Sequence, residues 1–362
     1  MRTLDFEYHL IRDNAFLGLL HAPLDRGNTL RMDNGGEIKM SLSGTFSEQA
    51  TDVDGNEITV NFLSDEIRPM MIIDGVEFPL GVYSVAKAVP SETNGIRRLK
   101  IEAFDRCWRV RDNYTEDILH FPAGMNYLAA IESQLIESGI ENVLATPTSA
   151  VLTEDREDWE IGTSRLAIVN QLLGEINYNQ LWFTTNGTAV LEPASVPTAE
   201  NIEHTMSDLP EDQLQGAVKI DRMLPAITRE TDVYAAPNVF LCVCSNPDKD
   251  AAMVAKAENT NPQSQLSIRR RGRRIMKMER VDNIASQAEL QAYADRLCNE
   301  SIIGGETIRV ATALQPGYGV ADVVAIKYGD LNAICIERAF SMELNVGGKM
   351  THELERVVYN IV

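Results

Sequence analysis

The chain has 362 residues, of which 44% are hydrophobic and 24% charged, and this ordinary globular composition excludes a wholly disordered protein. Its length allows two or three domains of about 100–200 residues each. With 33 Lys and Arg against 53 Asp and Glu, the formal net charge is -20, which opposes non-specific binding to DNA or anionic membranes. No stretch has the roughly 18 consecutive apolar residues of a membrane helix, and charged residues near the N-terminus argue against a signal peptide, so we expect no membrane insertion.

The first hundred residues predict short strands joined by tight turns. Apolar and polar residues alternate from Ile38 to Phe46, which is the period of a half-buried strand. Asp74-Gly75 lies between two apolar runs and predicts a hairpin, and Asn94-Gly95 predicts a second one. These signals favour a small barrel or sandwich over residues 1–113.

The middle of the chain predicts helices as well as strands. Apolar residues share one helical face between Asn126 and Gly139, and again between Thr163 and Ile176. A hairpin containing Trp182 follows, with Asn186-Gly187 as its turn. We therefore predict an α+β insert over residues 114–198.

From residue 199 onward the sequence returns to strand patterns. Strands are expected at 216–220, 238–244, 306–314, 320–328 and 332–344, with a turn at Gly347-Gly348 before a last strand. Residues 245–266 are polar and predict an exposed loop, and the capping box Ser286–Glu289 predicts one helix. We predict a second small barrel over residues 199–362, with a basic loop and one helix.

The cysteines are five in number and scattered, which is typical of reduced thiols in a protein made in a cytoplasm. Cys242 and Cys244 would share one face of a strand. We interpret them as small core residues, with a metal pair as the alternative, although no second cysteine pair or nearby histidine completes such a site.

No catalytic motif is complete. His352-Glu353 begins like a zinc-protease helix, but Arg356 stands where the second histidine would be. Gly317-Tyr318-Gly319 lies between strands and is interpreted as a turn rather than a dinucleotide loop. Asp52-Val-Asp-Gly-Asn56 lacks the glutamate of a calcium loop and is interpreted as a solvated turn. We predict no enzyme activity, no metal and no cofactor.

One basic cluster contrasts with the acidic composition. Seven cationic residues occur between positions 269 and 280: Arg269, Arg270, Arg271, Arg273, Arg274, Lys277 and Arg280. One interpretation is a nucleic-acid contact. The other, which we favour, is a basic loop that docks on an acidic neighbouring subunit, because Arg binds carboxylates as readily as phosphates. Alternation across Gln265–Arg269 suggests that a strand enters the cluster.

Two stretches resemble a known family. The run from Ser64 to Tyr83, SDEIRPMMIIDGVEFPLGVY, leading to Ala103-Phe-Asp-Arg106, resembles the N-terminal domain of bacteriophage tail baseplate hub proteins. The run from Ala333 to His352, AICIERAFSMELNVGGKMTH, is similar to the end of the same family. The helix at 163–176 followed by the Trp-bearing hairpin is similar to the central insert of hub proteins.

The resemblance implies a structural protein. Family hubs are trimers in which each chain supplies two related barrels, so that three chains form a six-fold-like ring on the hexameric tail tube. The other end of the ring holds a spike or tail-tip fibre, and the channel passes DNA without binding it specifically. The partners that the resemblance implies are further copies of the same chain, a tail tube or distal tail protein, and a spike or tail-tip fibre protein. The location that it implies is a virion tail assembled in the bacterial cytoplasm.

Candidate interface or channel residues are Arg68, the basic residues Arg269, Arg270, Arg271, Arg273, Arg274 and Lys277, and the turn Gly347, Gly348 and Lys349. A tail-tip protein that binds a host-surface glycan or receptor is the alternative function, and a peptidoglycan hydrolase is a further one. Relatives that cleave peptidoglycan carry an additional C-terminal region. The chain reads to Val362 soon after its second barrel, so we expect any lytic activity to belong to another protein.

Overall fold

The computed structural model describes residues 3–23, 27–93, 96–152, 155, 158–194, 197–208, 220–230, 236–244, 252–281, 284, 286–303 and 306–357. Within these ranges the buried apolar side chains form three separate cores. The largest core is shared by two barrels, the second belongs to the insert, and the third belongs to a small α/β lobe.

The first barrel is built from the N-terminal strands. They are β1 (Leu4–Arg12), β2 (Ala15–Leu20), β3 (Asn28–Asp33), β4 (Met40–Ser47), β5 (Ala50–Thr51), β6 (Glu57–Ile58), β7 (Glu66–Ile73), β8 (Val76–Pro79), β9 (Tyr83–Thr93) and β10 (Ile96–Asp105). Strand pairing runs in the order β1, β2, β5, then β4, β10, β9, β7 and back to β1. Among the described residues, no ladder pairs β5 with β4. These two ends of the sheet are linked by a two-residue connection and by a backbone hydrogen bond in which Ser47 donates to His21 at 2.7 Å, and we call the unit the first barrel.

The insert follows β10 directly. Its elements are α1 (Cys107–Asp112), α2 (Tyr127–Glu137), β11 (Val143–Ala145), α3 (Arg165–Glu175), β12 (Trp182–Phe183) and β13 (Ala189–Leu191). The side chain of Asn126 caps α2 by accepting from the backbone of Leu128, and Gly139 takes the left-handed conformation beyond its end, with φ +74°. The predicted helices and the Asn186-Gly187 hairpin are therefore present.

The rest of the chain supplies two further units. Its elements are a 3₁₀ turn (Ala199–Asn201), β14 (His204–Ser207), β15 (Ile220–Glu230), β16 (Val239–Cys244), β17 (Met253–Glu258), α4 (Ile268–Arg271), β18 (Met276–Val281), α5 (Gln287–Ile303), β19 (Thr307–Ala313), β20 (Val323–Tyr328), β21 (Leu331–Leu344) and β22 (Lys349–Val357). Strands β17, β16 and β18 form a three-stranded sheet, with α5 packed on one face, and we call this unit the α/β lobe.

The second barrel closes completely. Its strands pair in the order β20, β14, β15, β19, β22, β21, and β21 pairs again with β20. The strands alternate as a barrel requires: in β19, Ile308, Val310 and Thr312 point inward and are buried, while Arg309 between them points outward.

Strand β3 joins the two barrels edge to edge. It pairs with β4 of the first barrel on one side and with β21 of the second barrel on the other, both antiparallel. Leu30 and Met32 of β3 are fully buried in the core that contains Phe340 and Met342 of β21. We call this β4–β3–β21 junction the seam, and it places both barrels in one continuous sheet.

The predicted β-rich α+β class, with two barrel-like units and an α+β insert, is confirmed. The α/β lobe, which has its own core inside the segment 199–362, was not predicted from the sequence. The exposed loop expected at 245–266 is wrong over its second half, because β17 (Met253–Glu258) lies there and Asn259, Asn261 and Leu266 are buried. The strand expected across Gln265–Arg269 is wrong, because Ser267 caps the helix α4 there and Gly272 ends it with φ +65°. The Asn94-Gly95 turn and most of the strand expected at 216–220 lie outside the described residues.

Replacement of Met32 by alanine should destabilise both barrels together. Loss of a fully buried Met side chain costs about 2–5 kcal/mol of unfolding free energy, and the seam shares its core between the barrels. Urea denaturation gives the total loss, and amide exchange in β10 and β22 shows where it acts. The neighbouring Arg31→Ala, on the exposed side of β3, is the matched control. Faster exchange in β10 alone would contradict a shared core.

Candidate functional site

The interior of the second barrel contains a polar layer. Five inward positions on its strands carry His204, Asp221, Thr312, Glu337 and His352, all of them buried. They stand where the alternation of the strands otherwise places apolar residues, as between Met350 and Leu354. These polar side chains therefore belong to the core of the barrel and are not surface residues at the end of a strand.

Two histidine–carboxylate groups make up the layer. His204 Nε2 lies 3.1 Å from Oδ2 of Asp322, and its Nδ1 lies 3.6 Å from Oδ2 of Asp221. His352 Nδ1 lies 2.8 Å from Oε2 of Glu337, and its Nε2 lies 2.9 Å from the hydroxyl of Thr312. His352 thus has hydrogen-bond partners on both sides of its ring, whereas His204 has a hydrogen bond at Nε2 and only a longer ion-pair contact at Nδ1.

Tyr318 connects the two groups. Its ring stacks on His204 at a centroid distance of 3.7 Å and lies 4.8 Å from the ring of His352. Its hydroxyl donates to Asp221 at 2.5 Å. The turn Gly317–Gly319, which the sequence indicated as a simple connection between strands, therefore delivers a core aromatic side chain.

The pKa values in this layer reflect burial opposed by ion pairing. Burial lowers the pKa of His204, but the charges of Asp221 and Asp322 and the hydrogen bond to Asp322 outweigh it and raise the pKa to about 9. Burial raises the pKa of Glu337, with His352 acting in the opposite direction. His204 is therefore a cation at neutral pH inside a barrel. The described residues include no group of three or more His, Cys, Asp or Glu that could hold a metal ion.

A buried ion pair fixes the insert to the first barrel. The Arg106 guanidinium makes a two-point contact with Glu66, at 3.0 and 2.6 Å, and also donates to the backbone carbonyl of Gly187 in the hairpin turn. Its Nη2 donates to Asn14 as well. Arg106 is the last residue of the N-terminal stretch that resembles tail hub proteins. Its contacts join β7, which carries Glu66, to the hairpin turn of the insert at Gly187.

Arg68, a predicted interface residue, lies two positions after Glu66 on β7. It is half-buried, and burial together with the nearby Arg106 lowers its pKa. Its Nε has no hydrogen-bond partner among the described residues. An interface role for Arg68 stays a prediction.

The predicted turn Gly347-Gly348-Lys349 connects β21 to β22. Gly347 has φ +84°, and a Cβ on Gly348 would lie 2.1 Å from the carbonyl oxygen of Glu343. Both glycines are thus required by the hairpin itself. Lys349 opens β22 with an exposed side chain, and an interface role for these three residues also stays a prediction.

The basic cluster is spread over α4, its following turn and β18. Arg271 donates to the carbonyl of Ala236, Arg274 pairs with Glu258, and Lys277 pairs with Glu279 at 2.6 Å. Arg269 and Arg273 are exposed, and Arg270 donates to the carbonyl of Pro262. Part of the cluster therefore stabilises the α/β lobe, and part of it faces solvent.

A cleft of about 1380 Å³ lies where the insert, the α/β lobe and the second barrel meet. Side chains span it at its margins. Lys39 Nζ donates to Gln180 at 2.8 Å, and Asn177 donates to Glu289 of α5 at 2.9 Å. These contacts tie the insert to β3–β4 and to the lobe.

Three solved structures share this fold over nearly their whole length. The tail protein of Neisseria meningitidis MC58 is 12% identical, with a TM-score of 0.65, and the match covers 97% of this chain and 96% of that one. The 43 kDa tail protein of prophage MuSo2 from Shewanella oneidensis is 11% identical, with a TM-score of 0.61 and coverage of 97% and 98%. This chain has the fold of phage tail proteins.

The prophage tail protein gp18 of Listeria monocytogenes EGD-e is also similar, at 10% identity and a TM-score of 0.57, with coverage of 98% of this chain and 95% of that one. No family model matches the sequence, and no curated protein matches it significantly. The resemblance to tail hub proteins is thereby confirmed as a likeness of fold. Among the described residues, no helix of this tail-protein fold is long and apolar enough to cross a membrane.

The raised pKa of His204 predicts a pH dependence of stability. A group whose folded pKa exceeds its unfolded value stabilises the fold fully below the unfolded pKa, near 6.5, and loses that contribution as pH rises through about 9. The free energy of unfolding should therefore fall by up to about 3 kcal/mol between those pH values. Urea denaturation from pH 6 to 10 measures it.

The variant His204→Gln should lose this pH dependence and be less stable at pH 6.5, because Asp221 and Asp322 then lack their cation. His21→Gln, at an exposed histidine of the first barrel, is the control and should retain the wild-type profile. An unchanged profile in His204→Gln would assign the dependence to other groups.

Proposed function

We propose that the chain is a structural hub of a phage tail or tail-like particle, and that it forms a trimeric ring joining a hexameric tail tube to a trimeric spike or tip. The observation that carries this proposal is the seam, which holds two barrels side by side in one sheet. Three such chains supply six barrels, which is the number needed to match a six-fold tube.

The shared core supports this role mechanically. Strand β3 and its neighbours bury Leu30, Met32 and Phe340 at the point where the barrels meet. Two barrels held by one core cannot turn relative to each other without exposing it. A trimer of rigid pairs could then present a surface with quasi-six-fold regularity on one side and true three-fold symmetry on the other.

Charge supports the proposed channel. A net charge of -20 per chain repels a polyanion, so DNA would slide past the ring without being retained. The five cysteines are buried free thiols, which suits assembly in a reducing bacterial cytoplasm before incorporation into the virion tail. The partners of the ring would be a tube or distal tail protein and a spike or fibre. Its role would be structural rather than enzymatic.

The purified chain should have a solution mass near three times 40.2 kDa, since the proposed ring contains three copies. Light scattering across a range of protein concentrations measures this mass. Electron microscopy of the same sample should show a ring with a central hole.

A mass that stays at 40.2 kDa at every concentration would contradict a self-assembling ring. A two-chain mass would contradict the three-fold arrangement. Met32→Ala tests the link to the seam: it should reduce the fraction of rings in proportion to its loss of stability, whereas Arg31→Ala should leave that fraction unchanged.

A further inference from the structure

Much of one face of the three-stranded sheet in the α/β lobe has no covering element among the described residues, although Val239 at one end of it is fully buried and Leu241 and Val243 are half-buried. Helix α5 packs on the face that carries Phe240, Cys242 and Cys244. The opposite face carries the alternate residues of each strand. The strand register aligns them in three rows: Glu258, Val239 and Met276; then Lys256, Leu241 and Met278; then Val254, Val243 and Arg280. We call this the open face.

The open face is apolar in its centre and basic at its margin. Six of the nine positions on the open face are apolar. Three of these apolar side chains are nevertheless exposed to solvent: Met276 to 57%, Met278 to 53% and Val254 to 50%. Lys256 and Arg280 are exposed beside them. Lys256 and Arg274, which lies next to the first row, both pair with Glu258, so three cations share this margin with one carboxylate. An apolar sheet face with a cationic margin is typical of a surface that binds another protein.

A second surface of the same chain has the opposite charge. In the insert, residues 113–119 run antiparallel to residues 159–164, held by bridges from Tyr114 to Ser164 and from Leu119 to Trp159. Ile118 and Ile161 on these segments are 62% and 63% exposed. The charged residues of both segments are all acidic: Glu116, Asp117 and Glu160, each exposed. We call this surface the acidic ribbon.

We infer that the open face of one copy binds the acidic ribbon of the next copy around the ring. Each surface has exposed apolar side chains, and the two have opposite charge, so contact would bury both apolar centres and pair their charged margins. This inference rests on the proposed trimer and adds the surfaces that form it.

The two surfaces lie on different units of the chain, which makes the contact head-to-tail. A head-to-tail contact leaves one surface unsatisfied at each end of an open chain of subunits, and only closure into a ring satisfies them all. A symmetric dimer would instead need a surface that binds itself, and two open faces would place cations against cations. Complementary surfaces at separate positions therefore favour a ring over a dimer.

The test uses two double variants of the full chain. The face variant carries Met276→Asp and Met278→Asp, and the ribbon variant carries Ile118→Asp and Ile161→Asp. All four side chains are more than half exposed, so the fold should be retained, which an unchanged thermal transition would verify. The matched control carries Val53→Asp and Leu63→Asp, at first-barrel positions that are 78% and 98% exposed.

Each double variant alone should fall from a three-chain to a one-chain mass, with an apparent association constant weakened roughly 30-fold or more. An equimolar mixture should recover a two-chain mass and no more. The intact ribbon of the face variant can bind the intact open face of the ribbon variant, but the remaining pair of surfaces is damaged on both sides. The control should keep the wild-type mass.

Other outcomes separate this inference from the proposed function. If the wild-type chain is trimeric and both variants stay trimeric, the ring stands and the assigned surfaces are wrong. If the wild-type chain is monomeric at every concentration, both are wrong. Salt-sensitive binding of duplex DNA that the face variant loses, with an unchanged chain mass, would assign the open face to nucleic acid and overturn the inference.

Discussion

The pairing of β3 with β21 is the constraint on which the rest of the structure depends. Without it, the chain would contain two independent barrels linked through an insert, and their relative orientation would be set by side-chain contacts alone. With it, backbone hydrogen bonds and one apolar core extend from β6 to β20. The insert leaves from the end of β10 and is held there by Arg106, so its position also follows from the first barrel. The order of units along the chain thereby becomes a fixed arrangement in space.

Much of the fold could be predicted from local sequence signals. The Asp74-Gly75 and Asn186-Gly187 turns, the helix between Asn126 and Gly139 and the alternation in β4 each depend on neighbouring residues, and each appears in the structure. The seam could not be predicted in the same way, because β3 and β21 are some 300 residues apart and an alternating strand does not specify its partner. The α/β lobe was missed because its sheet mixes parallel and antiparallel pairs around one helix.

The polar layer was missed for a different reason, since its signal was present. His352 lies between Met350 and Leu354 in an alternating strand, which places it inside the barrel. His352 lies on a strand, and a zinc-protease motif, which requires a helix, does not apply to it. Buried histidine–carboxylate contacts contribute little net stability compared with an apolar core, but they penalise any packing in which a partner is displaced. The layer restricts which strands can face each other and so favours a single closed arrangement of β14, β15, β19 and β22.

Both barrels are filled by their own side chains, and this determines how a particle built from them could conduct a polymer. Tyr83, Phe46 and Leu10 occupy the interior of the first barrel, and Tyr318, Ile326 and Leu354 occupy the second. The interior of each barrel, as far as its residues are described, is therefore a packed core and does not form an open channel. A channel in the assembled particle would have to be lined by the outer surfaces of the barrel strands. Its diameter would depend on how many barrels surround it. Substitutions inside the barrels would then change the rigidity of the wall, while those on the outer strand faces would change what passes along it.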